Sequence, residues 1–221
     1  MRIMESWRLL DLGRVEPLKA QTFYEAVAHA VDLGRVPNTI ILVQPSKPYV
    51  CIGFHQAIES ELDLEYCRKN NLRIIRRGQG GGAVYLDDGQ LFYQVIARKA
   101  SPSIPRSTEA LFEKMLGVTV YVYRMLGLNA VYKPINDVMV NGRKISGNGA
   151  GDYGENTVIL VGNIILRLNY EGMCRVLKVP SEKFRDKTAK SMREWVTSRE
   201  REKGEIPDLK MEGNQIVKKE R

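Results

Sequence analysis

The chain has 221 residues, a formal net charge of +8 and 43% hydrophobic side chains, enough for one large domain or two small ones. No apolar run approaches the roughly 18 residues that a membrane helix needs, and the start, Met1 to Arg8, has no long apolar stretch of the secretory kind. A cytoplasmic protein with no membrane partner is expected. Three scattered cysteines (Cys51, Cys67, Cys174) and two histidines (His29, His55) are too few for a disulfide framework or a His/Cys metal centre. The positive charge suits an acidic protein, an anionic small molecule or nucleic acid and does not choose among them.

In chain order, Leu9 to Gly13 reads as a strand. A helix runs from Pro17, favoured at a first helical position, to Gly34, favoured just past the end. Thr39 to Gln44 and Tyr49 to Ile52 are strands, and Leu62 to Asn70 is a short helix. Leu72 to Arg76 is a strand entering a glycine run. Ala83 to Leu86 and Leu91 to Ile96 read as a hairpin around Asp87-Asp88-Gly89. Ser107 to Met125 is a long helix with Leu111, Met115, Val118 and Val122 on one face. Ala130 to Tyr132 is a strand, and Val138 to Val140 pairs with Lys144 to Ser146 across Asn141-Gly142, a strong hairpin signal. Thr157 to Leu166 is a strand interrupted at Gly162. Helices follow at Glu171 to Leu177 and Ser191 to Arg201. This order predicts an α+β fold with mixed, mostly antiparallel sheets rather than a repeating parallel array. From about Arg199 the chain is charged and poor in large apolar residues, so the expected division is a body over 1–198 and a mobile or partner-docked tail over 199–221.

Two segments carry chemistry. The first is Arg76-Arg77-Gly78-Gln79-Gly80-Gly81-Gly82-Ala83-Val84-Tyr85. Consecutive glycines let main-chain N–H groups turn toward phosphate or carboxylate oxygens, although a tight bend at a sheet edge uses glycine equally well. Neither GxGxxG nor GxxxxGK[ST] is present in this segment, which argues against a dinucleotide fold and a P-loop. The second is Asn141-Gly142-Arg143-Lys144-Ile145-Ser146-Gly147. The turn holds Lys144 on a strand, where an ammonium can stabilise charge developing at a phosphate, or is simply a solvated charge. Asp137, after Asn136, can hold Mg²⁺ beside phosphate oxygens or serve as a turn former.

On these segments the chain resembles lipoate–protein ligases, within the wider biotin/lipoate cofactor-transferase family, whose catalytic fold is like that of class II aminoacyl-tRNA synthetases. Arg76 to Tyr85 matches the family's Arg-Arg-x-(Ser/Thr)-Gly-Gly-Gly-Ala-Val-(Tyr/Phe). Asn136-Asp137-Val138 and Gly142 to Gly147 match its Asn-Asp and Gly-(Arg/Lys)-Lys-(Ile/Leu)-(Ser/Ala)-Gly segments, and Ile52-Gly53-Phe54-His55-Gln56 looks like its Ile-Gly-x-x-Gln stretch. The resemblance covers roughly residues 8 to 198. It implies two steps. Lipoate's carboxylate attacks the α-phosphate of ATP, giving lipoyl-AMP, and a lysine of an acceptor lipoyl domain then takes the acyl group. Lys144 would be the catalytic contact to both carbonyl and phosphate. Arg77, Gly80, Gly81, Gly82, Ala83, Val84, Tyr85 and Gly147 would line the acyl-adenylate, with Asn136 and Asp137 positioning the nucleotide and its Mg²⁺. Similarity to the split archaeal-type enzymes implies a separate accessory subunit.

Three positions depart from the pattern: Gln79 replaces Ser or Thr, Leu86 replaces His, and Val161 stands where a His precedes Gly162. They change the polarity of the acyl or nucleotide pocket and suggest a specialised branch. The competing reading is an ATP-independent octanoyl- or lipoyl-transferase of the same fold, which works through a cysteine thiolate; Cys174 does not fall at either position such enzymes use. The biotin-ligase signature Gly-Arg-Gly-Arg-x-Gly is not matched by Arg77-Gly78-Gln79-Gly80. No aromatic-plus-basic segment of the RNA-binding kind appears. A scaffold that binds lipoate without turnover is the remaining alternative.

Overall fold

A computed structural model describes residues 5–178, 192–204, 209–212 and 215–218. Seven strands form the main sheet. In chain order they are β1 (Arg8–Val15), β2 (Thr39–Pro45), β6 (Gln90–Arg98), β7 (Ala130–Lys133), β8 (Asp137–Val140), β9 (Arg143–Tyr153) and β10 (Thr157–Ile165), arranged β1-β2-β6-β10-β9-β8-β7. β1 and β2 are parallel and every other neighbouring pair is antiparallel. β3 (Tyr49–Ile52), β4 (Arg73–Arg76) and β5 (Val84–Leu86) form a second sheet in the order β4-β3-β5. The expected α+β class with mixed sheets is the one observed.

The main sheet is buried on both faces, and the alternation of its central strands shows how. Along β6, Val95 and Ala97 join the core under α4 (Thr108–Met125), while Phe92 and Ile96 join the core under α1 (Pro17–Asp32). Successive strand residues point to opposite faces, so each helix covers one side. A third cluster, built on Val50, Ile52, Leu62, Cys67, Tyr85, Met173 and Val176, packs the small sheet against α3 (Leu64–Lys69) and α5 (Tyr170–Val176).

Several elements differ from expectation. The segments either side of Asp87-Asp88-Gly89 do not pair with each other. Both edges of β6 are taken by β2 and β10, so β5 pairs with β3 and the turn carries the chain between sheets; Gly89 N donates to Asp87 Oδ1 at 3.0 Å to close it. The helix expected from Leu62 starts later, as α3, because Leu62 is extended and Asp63 caps α3 by accepting from Tyr66 N at 2.9 Å; a separate short helix, α2 (Ile58–Glu61), precedes it. On α4 the buried face is Leu111, Phe112, Leu116, Thr119, Val120 and Tyr123, and Val118 is exposed. The helix is rotated from the purely apolar stripe because Thr119 and Tyr123 are drawn inward to hydrogen-bond the sheet. The helix expected over Ser191 to Arg201 is also split: residues 192–195 are helical, Val196 to Ser198 are extended, and α6 (Arg199–Lys203) restarts under a cap from Ser198 to Arg201 N; Ser191 lies outside the described residues.

α6 belongs to the charged segment expected as a tail, yet it is bonded to the body. Arg199 Nε donates to the Leu126 carbonyl at the C-terminal end of α4, 3.1 Å away, and Glu200 N to the Leu166 carbonyl at 2.9 Å. Beyond it, β11 (Leu209–Glu212) and β12 (Gln215–Lys218) pair antiparallel. Among the described residues no helix is long and apolar enough to cross a membrane.

Candidate active site

Gly162 is where two strands part. β10 pairs with β9 from Thr157↔Tyr153 to Gly162↔Asn148 and no further. Gly162 does not interrupt β10; it marks the end of that pairing. The gap is filled by side chains. Tyr123 of α4 donates its hydroxyl to the Ile145 carbonyl at 2.6 Å and accepts from Ile165 N at 2.7 Å. Ser146 Oγ donates to the Asn163 carbonyl at 2.7 Å, and Gly147 N donates to Asn163 Oδ1 at 2.8 Å. On its other edge β9 pairs with β8, Met139 opposite Lys144 and Val138 opposite Ser146, so Ile145 is an extra residue. Such a bulge bends the strand and re-aims its side chains. Lys144 sits at this bend.

Lys144 Nζ lies 2.5 Å from Asp137 Oδ1, with both side chains about one-third exposed, at 37% and 28%. Among the described residues that oxygen takes no hydrogen bond of good geometry, so the ammonium is its compensation. Asp137 is therefore a partner for Lys144 and not the open carboxylate expected of a magnesium ligand, and no group of three His, Cys, Asp or Glu among the described residues could hold an ion. The described donors do not fit a resident metal. Asn136 is bound reciprocally to Asn148: Asn136 Nδ2 donates to the Asn148 carbonyl at 2.6 Å and Asn148 Nδ2 to the Asn136 carbonyl at 3.0 Å. Asn148 Oδ1 in turn accepts from Tyr93. Burial holds the Tyr93 phenol up at about 12, so it stays neutral and keeps its donor proton.

The glycine run is cradled by its own neighbours. Arg77 donates through Nη2 to the carbonyls of Gly80 and Gly82, at 2.8 and 2.9 Å. Arg76 points elsewhere, clamping the carbonyls of Gly53, Phe54 and Gln56 at 2.8–3.0 Å. Phe54 N donates to the Gln79 carbonyl at 3.0 Å, so the Ile52 to Gln56 stretch and the glycine loop are one unit. A Cβ on Gly53 would overlap the Gly81 carbonyl, whereas a Cβ on Gly80 or Gly82 would meet nothing within 4 Å. The loop thus faces open space there. Among the described residues the amides of Gly80, Gly81, Gly82 and Ala83 donate to no protein acceptor. A run of unpaired, unshielded N–H groups beside a guanidinium suits a phosphate or carboxylate. Val84 is exposed next to it, but the Tyr85 ring is buried in the third cluster, where burial pushes its phenol up to about 12.

The two segments lie in different sheets and are joined by an amide relay. Asn163, which holds Gly147 N, donates its Nδ2 to Gln90 Oε1 at 2.8 Å, and Gln90 Nε2 makes a long contact, 3.4 Å, to the Tyr85 carbonyl. The departing residues are also brought together: Gln79 Oε1 accepts from Tyr24 of α1, and Leu86 and Val161 both pack into the apolar cluster under that helix. Asn163, Gln90 and Tyr123 were missed from sequence. A lone Asn in Ile159-Leu160-Val161-Gly162-Asn163-Ile164-Ile165 was a signal that could have been used.

Residues 16–219 match the model of the lipoyl protein ligase A/B catalytic domain, and the chain belongs to that family. It is similar to lipoate-protein ligase A subunit 1 of Thermoplasma acidophilum, 37% identical over 79% of this chain and 68% of that protein. It is also 29% identical to the octanoyltransferase LipM of Moorella thermoacetica, over 83% of this chain and 73% of that one. Among solved structures it resembles a chain of an archaeal lipoylation system, described as a bi-partite lipoate protein ligase and its E2 lipoyl domain from T. acidophilum, with TM-score 0.72 and 30% identity over 88% of this chain and 74% of that one. It also resembles lipoate-protein ligase A bound with ATP, with TM-score 0.66 and 27% identity over 89% and 76% of the two chains. The chain is an enzyme of the lipoyl ligase and transferase class.

Proposed function

We propose that the chain is an ATP-dependent lipoate–protein ligase. Lipoate's carboxylate oxygen attacks the α-phosphorus of MgATP, the bond to pyrophosphate breaks, and lipoyl-AMP forms. The ε-amine of an acceptor-domain lysine then attacks the carbonyl carbon, AMP leaves, and the amine's proton is lost. The observation that carries this reading is the pairing of two features: unpaired loop amides over open space at Gly80 to Ala83, and the partly exposed Lys144 ammonium held at 2.5 Å by Asp137. The amides suit the phosphate of an acyl-adenylate. The ammonium, released from Asp137 when substrate enters, suits charge that grows as pyrophosphate departs. The ATP-bound structural relative supports the nucleotide assignment.

The LipM relatives support a second reading, octanoyl transfer through a thiolate. Cysteine chemistry in this chain weighs against it. Cys51 and Cys67 are buried, and burial pushes the thiols of Cys51, Cys67 and Cys174 upward, away from the reactive anion. Cys174 instead contacts Met192 Sδ at 3.6 Å. The relative named as a subunit and the bi-partite neighbour support a requirement for a second subunit and a lipoyl-domain acceptor.

Mass spectrometry of a lipoyl domain after incubation with the chain, MgATP and lipoate or octanoate tests the proposal. An acyl adduct that needs ATP is expected, and an adduct formed equally well from a thiol-bound or carrier-bound acyl group without ATP would replace it with the transferase. Adenylation by the chain alone reads the subunit question: robust lipoyl-AMP formation removes the need for a partner.

A further inference from the structure

Where β10 leaves β9, another segment takes its place. Val196 bridges Lys144 in parallel, and Thr197 N donates to the Lys144 carbonyl at 2.8 Å. This strap is closed by one carboxylate. The Glu202 side chain is 4% exposed, and it accepts from Asn141 Nδ2 at 2.7 Å, Arg143 Nε and Nη2 at 3.1 and 2.8 Å, and Thr197 Oγ1 at 2.5 Å. The donors come from the hairpin turn, from the residue before Lys144, and from the residue bonded to the Lys144 carbonyl.

We propose that Glu202 is a positioning residue for Lys144, fixing the lysine-bearing bend from the side opposite Asp137's strand. The inference rests on the reading of Lys144 as the cation of the adenylation step. A strand with one extra residue at Ile145 can slip, and a one-residue slip turns each side chain to the other face. Glu202 opposes this by tying the hairpin ahead of the bulge, at Asn141 and Arg143, to Thr197 of the strap alongside Lys144. A carboxylate offers about four lone-pair sites, and here all the donors meet the same group. An amide in its place would turn an NH₂ toward a donor.

Stability and positioning are separable at this site. α6 keeps its anchors at Leu126 and Leu166 without Glu202. Loss of the carboxylate therefore loosens the lysine bend more than it undocks the helix.

The test is lipoate-dependent ATP–pyrophosphate exchange by the full chain, with its partner subunit if one is required, for Glu202→Gln in the wild-type and Lys144→Ala backgrounds, alongside thermal unfolding. In the wild-type background kcat is expected to fall about 10- to 100-fold, as for a small misplacement of a catalytic group. KM for ATP and lipoate should stay within about threefold, since the loop amides and Arg77 are untouched and the Lys144 charge acts chiefly in the transition state. In the Lys144→Ala background Glu202→Gln should cost nothing further, because the group it positions is gone. An unchanged kcat in folded Glu202→Gln, or the same fractional loss in both backgrounds, overturns the proposal while leaving the function of Lys144 intact. Full activity in Lys144→Ala alone overturns the reading on which it rests. If Glu202→Gln does not fold, Arg143→Met removes two of the donors and is held to the same outcomes.

Discussion

Asn163 Nδ2 donates to Gln90 Oε1 over 2.8 Å, and this bond couples the arm carrying Lys144 to the strand that follows the glycine loop. Asn163 Oδ1 fixes Gly147 N on one side, and Gln90 leans on the Tyr85 carbonyl on the other. Gln90 is 1% exposed, so its amide depends on protein partners and not on water. The relay gives two motifs in separate sheets a fixed relation.

Replacing Asn163 by Leu removes the acceptor for Gly147 N and leaves Gln90 Oε1 buried without that donor. A loss of about 1–3 kcal/mol is expected from the unsatisfied groups, measured by denaturant unfolding, together with a fall in adenylation rate. Gln90→Leu should reproduce part of it. The double variant should cost less than the sum, because both changes break one network.

Gly53→Ala places a methyl against the Gly81 carbonyl. The main chain of the glycine loop must move to admit it, and strain of this kind costs about 1–3 kcal/mol. Weaker ATP binding is expected, read as a raised KM for ATP. Gly80→Ala, where a methyl meets open space, should keep the fold while crowding the anion, so its melting temperature stays near wild type as its KM rises.

Cys174→Ser should leave acceptor lipoylation unchanged within about twofold, since a group off the reaction path contributes no transition-state stabilisation. Lys144→Ala should reduce it by about 10²–10³-fold, the scale seen when one oxyanion-stabilising group is lost. The reverse pattern, measured by acceptor mass shift over time, would assign the chemistry to the thiol.

Acid pH should single out Glu202. Burial pushes its carboxyl up, but hydrogen bonds from Thr197, Asn141 and Arg143, with the Arg143 charge, outweigh that and leave it below the ordinary 4.5. The folded chain therefore holds this proton less tightly than the unfolded chain, and the stabilisation is complete above the unfolded value and drains away as pH falls through the folded one. The stability difference between wild type and Glu202→Gln should stay flat from neutral pH down to about 6 and shrink once pH drops below about 4.5. Unfolding curves for the pair across that range measure it, and a difference that grows on acidification contradicts the assignment.

Much of the fold was legible because its signals are local. Asn141-Gly142 is a turn in the structure, with φ of 50° and 76° at the two residues, as the dipeptide demands. The apolar strands of the main sheet fall where β-branched runs predicted them. The errors arose where a tertiary partner outbid a local preference. The Asp87-Asp88-Gly89 turn looked like a hairpin, but β6 has no free edge to offer β5. Val118 looked like core, yet Tyr123 was worth burying because the parted strands needed its hydroxyl, and Thr119 because it bonds the Tyr93 hydroxyl on β6.

The site divides the same way. The glycine run, Lys144 and Asp137 are readable in a linear string because turn chemistry and bare main chain act over a few residues. From these the sequence by itself determined the family and the groups that face an anion. It carried no sign of Glu202, one acid in the run Arg199-Glu200-Arg201-Glu202-Lys203, whose partner Arg143 lies 59 residues away. It also left Asp137 either a metal to hold or a turn to form, where the folded chain gives it Lys144. Only the tertiary structure decided those pairings, because a buried carboxylate takes whichever donors the packing brings within about 3 Å.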